Sequence, residues 1–430
     1  MHLMPADTII AEARDAEGRF EWHAGAEAYE RALNDASDEG APPHEIAEML
    51  TGLGRCQRNM GEARAAWRSL MRAIALYREV GLAEAMANAS IEALRIWAPP
   101  ERQRAIAEAA LDALGPGESP QHVELLIRLD EPARDEEALA IARRRGYDDV
   151  LAQWALWMDG PGLVEHGRVD DYMELVQRAH TAHEAAGDFD RAAGALRGAG
   201  YGLLALGDFT RGLRMAEASR EYAAARNLRF PTQLAALDIA GVLFARDQLD
   251  ACEALLDGIP GTLDFRIDLF RAWIAERRGN ADMAVGLLPS PDRAGGAMGA
   301  LSQVHAGRAG VFWRAGRHEG ALREVEALAD TARGDNRLIA DAPAALDAIL
   351  AKDDHPLFKE ILDQADRCPL DHYSTLQGRG IDRVRGWMAL RLGDRETAAR
   401  HFRAGIEWAE REGCTPDAAW CREGLAAASP

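Results

Sequence analysis

A helical hairpin recurs along this chain, and the recurrence decides the architecture before the chemistry of any single side chain is weighed. One copy reads Leu53-Gly54, then Gly61, Ala66, Leu70 and Ala73-Ile74; another reads Ala199-Gly200, then Gly207-Asp208-Phe209, Gly212, Ala216 and Ser219. Gly stands where the first helix of a pair ends, because it tolerates the left-handed backbone found there. The Asp that follows, as in Gly187-Asp188-Phe189 and Gly207-Asp208-Phe209, is suited to cap the next helix. Small residues at Gly54, Ala66, Gly200 and Gly212 let paired helices approach, and Leu53, Leu70, Phe209 and Met215 fill the space between them.

The turn markers are Gly18, Gly61, Gly167, Gly207, Asp247, Gly279, Gly316 and Gly393, with Gly187 as a turn between successive hairpins. From Gly207 onward they recur at roughly 30–40 residues or twice that, looser than a strict 34-residue repeat. No stretch alternates with period two, so no sheet is expected. The predicted architecture is all-α: a superhelical α-solenoid of antiparallel helix pairs. The organisation expected is a first block over residues 1–115, an irregular helical connector over 116–158 and a second block over 159–430. The segment Gly115-Pro116-Gly117-Glu118-Ser119-Pro120 marks a break between them. Trp154 and Trp157 are expected to pack the junction.

Composition narrows the function classes. Aromatics make up 6% of the 430 residues and the formal net charge is −20. A surface this acidic repels phosphate backbones, which argues against nucleic acid as a partner. Lys352 and Lys359 are the only lysines; arginine supplies the rest of the positive charge, the signature of a GC-rich bacterial genome. The start, Met1 to Asp7, has neither a basic nor an apolar region of a signal peptide, and no apolar run approaches the ~18–20 residues of a membrane span. Cys56, Cys252, Cys368, Cys414 and Cys421 are odd in number and scattered, so no disulfide framework is expected. A cytoplasmic location follows, with no membrane partner.

The Leu-Gly…Gly…Ala…Leu…Ala register resembles tetratricopeptide (TPR) repeats. The block from Asp148 to Ile259 is similar to the C-terminal helical arrays of large bacterial signalling ATPases. These include LuxR-type regulators of the MalT-like class and class III nucleotidyl cyclases. The likeness is carried by Asp148-Asp149-Val150-Leu151-Ala152, by the turns at 186–190 and 205–209, and by Arg229-Phe230-Pro231. In such proteins the array implies a sensor or a protein-binding scaffold. The nucleotide-binding motif of those ATPases, Gly-x-x-x-x-Gly-Lys-[Ser/Thr], is missing from this sequence. The expectation is therefore an array without their effector domains.

Motifs for catalysis or metal binding are weak. His180 and His183 lie one turn apart on a helix, without an obvious third ligand; a solvated helix face is the plainer reading. Asp353-Asp354-His355 and Asp371-His372-Tyr373 fit caps and turns. Pro416 interrupts the helix that would bring Cys414 and Cys421 together. No Gly-x-Ser-x-Gly elbow is present. No catalytic residue, metal or cofactor is assigned.

The resemblance also implies that the first helix of each hairpin lines a concave face. On that register the exposed positions are Arg55 and Arg58 (beside Asn59), then Arg197, Tyr201 and Leu204, then Phe244, then Trp273 and Arg277, then Trp313 and Arg314, then Arg383, Trp387 and Arg391. Arg clamps carboxylates bidentately, and aromatic rings offer flat apolar area. Such a groove suits a protein or peptide with acidic groups, or a small anionic ligand. Against it stands the commoner use of large aromatics at helical spacing as core, and the fact that Arg is nearly the only base this chain uses. The leading expectation is a non-catalytic scaffold or sensor in bacterial signalling or regulation. The alternatives are a regulator responsive to a small molecule or signalling peptide, and an enzyme built on a solenoid with His355 and His372 in its groove.

Overall fold

The computed structural model describes residues 6–96, 100–129, 131–165, 168–259, 264–294, 298–332, 337–367 and 380–429. Among them the regular structure is helical throughout, in the order α1 (Ala6–Gly18), α2 (Trp22–Glu39), α3 (Pro43–Asn59), α4 (Ala63–Val80), α5 (Ala83–Leu94), α6 (Pro100–Leu114), α7 (Pro120–Ile127), α8 (Pro132–Arg145) and α9 (Asp148–Glu165). There follow α10 (Val169–Ala185), α11 (Phe189–Ala205), α12 (Phe209–Ala224), α13 (Arg229–Ala245), α14 (Leu249–Asp257), α15 (Asp264–Arg277) and α16 (Ala281–Leu287). After a short 3₁₀ turn come α17 (Met298–Arg314), α18 (His318–Ala332), α19 (Arg337–Lys352), α20 (His355–Arg367), α21 (Ile381–Arg391), α22 (Arg395–Glu412) and α23 (Thr415–Ala428). The fold is an all-α solenoid of antiparallel helix hairpins.

The sequence markers sit where the backbone needs them. Gly61, Gly187, Gly207, Gly279, Gly316 and Gly393 all have positive φ, between 73° and 87°. Asp247, the one non-glycine marker, holds φ 59°. Gly18 departs from the expectation: it ends α1 in helical form, and Phe20 takes the left-handed position instead, at φ 59°. Gly167 lies outside the described residues. The Asp caps form as expected, with Asp188 Oδ1 accepting from the Arg191 N–H at 3.2 Å and Asp208 Oδ1 from the Arg211 N–H at 2.9 Å.

The small residues do what the register requires. A Cβ added to Gly54 would stand 2.6 Å from Leu70 Cγ, and one on Gly200 would stand 3.0 Å from the Ala216 nitrogen. Gly212 faces Leu204 in the same way, at 2.7 Å. Phe402 is wedged between two glycines, Gly386 and Gly424, whose Cβ atoms would come within 2.6 and 2.3 Å of its ring.

The chain divides into two compact units. The first comprises Met1–Gly160, Glu174–Ala195 and Ser219–Thr232; the second comprises Pro161–Met173, Leu196–Ala218 and Gln233–Pro430. This division differs from the blocks expected at 115 and 158. Across the Gly115–Pro120 connector, α5, α6 and α7 share one apolar cluster of Leu94, Ala107, Ala110, Leu125 and Leu129. Ser119 caps α7 by accepting from the His122 N–H at 3.1 Å.

Within each unit the ends of the run of hairpins meet. In the first, Trp22 Nε1 donates to the Arg226 carbonyl at 3.1 Å, Phe20 packs edge-on against Phe189 at 5.1 Å, and Asn227 Nδ2 donates to the Phe20 carbonyl at 3.0 Å. In the second, Trp408 Nε1 donates to the Gly207 carbonyl at 2.9 Å, and Phe209 N–H donates to Glu412 Oε2 at 3.2 Å. Arg246 Nε donates to the Glu412 carbonyl at 2.9 Å. Around these bonds Leu204, Phe209, Val242 and Ala245 close on Trp408, Ala409, Cys414 and Ala418 in one apolar cluster.

Candidate functional site

In the first unit the first helices of successive hairpins do face one another, but their arginines are answered by the chain's own carboxylates. Arg55 on α3 meets Glu17 of α1 at 2.8 Å. Arg58, also on α3, pairs with Asp190 and lies 3.4 Å from Glu92 of α5. Arg95, just past α5, reaches Asp188 at 2.6 Å. Arg191, on α11, pairs with Glu124 of α7, which also takes Arg128 at 3.1 Å. Burial would push Glu124 up, but Arg191 and Arg128 outweigh it and hold the carboxyl down at about 2. Burial likewise opposes Glu92 and Asp188, and the neighbouring guanidiniums again hold both below the ordinary carboxylate range. Five arginines thus meet five carboxylates, a network matched charge for charge.

In the second unit the corresponding helices carry arginines mixed with aromatic rings. Arg277, at the end of α15, lies 4.9 Å from the Phe244 ring and 4.9 Å from the Trp420 ring, and bonds Asp247 at 2.8 Å. Arg383 on α21 lies 4.2 Å from the same Trp420 ring and 3.8 Å from Asp417. Burial, and the neighbouring Arg314, lower the Arg383 guanidinium's affinity for its proton against the pull of Asp417 and Asp347. Arg314 on α17 pairs with Glu276 and reaches Asp347 at 3.2 Å. Arg197 on α11 is held by Asp238 of α13, Nε to Oδ2 at 2.8 Å and Nη2 to Oδ1 at 3.2 Å. Tyr201, one turn along α11 from Arg197, is 41% exposed. Arg391 is the most open of the arginines named from sequence, 3.9 Å from Asp353.

The aromatic expectations fare differently. Phe244 and Trp273 are buried and pack on each other and on Phe270, in the cluster between α13 and α15. Their side chains are core, because the inward turn of both helices is apolar at those positions. Trp313 stacks edge-on with His318 at 4.2 Å and Trp387 with Phe402 at 5.6 Å, both partly buried. Trp154 is partly buried, and the side chain of Trp157 lies outside the described residues. Sequence reasoning missed Trp420, Arg266 and Asp238. Trp420 sits in α23, past the last recognised turn glycine, and the buried Asp238 had no motif around it.

The remaining chemical motifs are engaged locally. His180 Nδ1 lies 3.0 Å from the Ala192 carbonyl, and His183 Nε2 lies 2.8 Å from Gln153 Oε1. Burial, with Arg191 nearby, holds His183 below its ordinary value. Asp354 caps α20, accepting from the Leu357 N–H at 3.2 Å, while His355 is exposed. Asp371, His372 and Cys368 lie outside the described residues. Burial pushes the thiols of Cys56, Cys252 and Cys421 up to about 12 and that of Cys414 higher still, so none is poised as a nucleophile. No group of three metal-binding side chains occurs among the described residues. No described helix is long and apolar enough to cross a membrane.

No family model matches the chain, and no curated protein matches it. Solved structures align over nearly all of it. The Cut9–Hcn1 hetero-tetramer of the APC/C is 11% identical, covering 100% of this chain and 97% of that chain at a TM-score of 0.33. Yeast Tom70 is 11% identical, covering 98% and 96%, at a TM-score of 0.32. A circular tandem repeat protein with novel repeat topology and enhanced subunit contact surfaces is 17% identical, covering 98% and 97%, at a TM-score of 0.18. The helical-repeat fold of this chain rests on its own hairpins, caps and close-packed glycines.

Proposed function

We propose that this protein is a binding scaffold that holds a protein or peptide partner by its acidic groups, against the arginine- and aromatic-bearing first helices of the second unit. The observation that supports this most directly is the meeting of Arg277 and Arg383 on Trp420, which joins α15, α21 and α23 through one aromatic ring, with Arg383 buried and Arg277 partly exposed beside it. Arginine and Trp are the side chains that most often dominate binding energy at interfaces. The first unit's network supports a structural role for that unit, since its arginines are already matched by carboxylates. The proposed setting is bacterial signalling or regulation in the cytoplasm. The arginine-rich composition and the likeness of the Gly-Asp-Phe turns to signalling-ATPase arrays support that setting.

The test is fluorescence anisotropy with a labelled hexaglutamate peptide, with hexalysine as the control. Saturable binding of hexaglutamate alone is expected, weakening as salt screens the ion pairs. An acidic peptide that binds no better than hexalysine contradicts the proposal.

A further inference from the structure

Four consecutive side chains at the α10–α11 turn, residues 188–191, are each answered by a different distant element of the first unit. Asp188 takes the fork of Arg95, Nη1 to Oδ1 at 3.3 Å and Nη2 to Oδ2 at 2.6 Å. Phe189 meets the Phe20 ring edge-on at 5.1 Å, and the Arg226 guanidinium stands 5.3 Å from the Phe189 ring. Asp190 pairs with Arg58 of α3, and Arg191 with Glu124 of α7. The three ionic partners lie 67, 93 and 132 residues away along the chain.

A hairpin turn of this kind does not require such contacts. The Gly207-Asp208-Phe209 turn has the same left-handed glycine and the same Asp cap, but Thr210 stands where the other turn has Asp190. There Asp208 and Arg211 bond each other, and Arg211 is 49% exposed. At residues 188–191 the three ion pairs reach other helices or helix ends instead, and all six side chains are 20% exposed or less. An acid, a ring, an acid and a base are recognised in order: carboxylates by guanidiniums, ring by ring, base by carboxylate. The bidentate Arg95 fork adds geometric selectivity to that order.

We propose that residues 188–191 are a built-in ligand, an autoinhibitory plug that fills an arginine-bearing seat of the first unit. The seat takes in trans a partner protein segment with the same order of acid, aromatic, acid and base. A tethered plug competes at an effective concentration on the order of millimolar, so the seat of the isolated chain is shut to weak ligands. Hexaglutamate has neither ring nor base and is not expected to displace the plug, so the proposal stands apart from the second-unit reading above.

The experiment measures, by fluorescence anisotropy, a labelled peptide of residues 186–195 binding to the full chain, to Asp190→Asn and to Asp188→Asn/Asp190→Asn. A scrambled peptide of the same composition is the control. Asn at position 188 keeps the cap on α11 while removing the charge. Binding at least tenfold tighter in the double variant than in the wild type is expected, and several-fold tighter in Asp190→Asn. Adding Arg58→Gln to the double variant should abolish the gain. Equal affinity in the wild type and the folded variants overturns the proposal, as does a gain shared by the scrambled peptide or one that survives Arg58→Gln. Unfolding of both variants overturns it too, because the turn is then a structural strut rather than a displaceable ligand.

Discussion

At the scale of single residues, glycine shows how one position's environment sets the sign of a substitution. Gly424 lies against the Phe402 ring, where an added Cβ would come within 2.3 Å of it, so Gly424→Ala should lower stability by about 1–3 kcal/mol in urea denaturation. Gly194, inside α11, has nothing within 4 Å of that position, and Gly194→Ala should raise stability by about 0.5–1 kcal/mol through helix propensity alone. Gly54, Gly200 and Gly212 were legible in the sequence because they recur in register; Gly424 was not, because it lies in α23, past Gly393, the last turn marker of that register. Carboxylates carry the second residue-scale prediction. Glu92, Glu124 and Asp188 are held below their ordinary range in the folded first unit, so their stabilising contribution is present above about pH 4–5 and is lost as pH falls through the folded values. The urea midpoint should fall between about pH 5 and pH 2. Glu124→Gln should cost about 3–5 kcal/mol at neutral pH, since it leaves Arg128 without its carboxylate and Arg191 with only Asp188 at 3.8 Å, and should flatten that acid limb. A midpoint that does not change with acid would contradict the network's role. Asp238, whose buried carboxyl is pushed up, works in the opposite direction.

At the scale of elements, the hairpins and their caps were legible and the closures were not. Gly-Asp turns announce themselves locally, since a left-handed residue and a capping oxygen are needed within a few positions. Left-handed Phe20 carries no such signature, being held there by the structure around it. The contact of α22 with the α11–α12 turn joins residues about half the chain apart, and no repeat register encodes it. Its strength is testable. Trp408→Phe removes the donor to the Gly207 carbonyl inside an apolar cluster that also contains Cys414. Leaving that carbonyl unmet should cost about 1–3 kcal/mol. Site-resolved thiol labelling should show Cys414 reacting several-fold faster in Trp408→Phe while Cys56, in the other unit, keeps its rate. Equal Cys414 rates would mean that the closure adds no local stability.

At the scale of the molecule, one repeat register has been used in two ways. The first unit fills the space between its first helices with five arginines and five carboxylates. The second unit sets Arg277 and Arg383 against the Trp420 ring. Sequence reasoning named Arg55, Arg58, Arg277 and Arg383 from the repeat register and missed Arg95, Arg128 and Arg191. It could not tell a matched arginine from an unmatched one, since the matching carboxylates Glu17, Asp190 and Asp238 come from other helices. For the same reason Phe244 and Trp273 read as groove residues until their neighbours on the facing helix were known. Hydrogen–deuterium exchange of the whole chain with and without a saturating acidic peptide tests the central claim most directly. Protection confined to the first helices of the second unit, α11, α15, α21 and α23, is the predicted result; protection on α3, α5 and α7 of the first unit, or none anywhere, would contradict it.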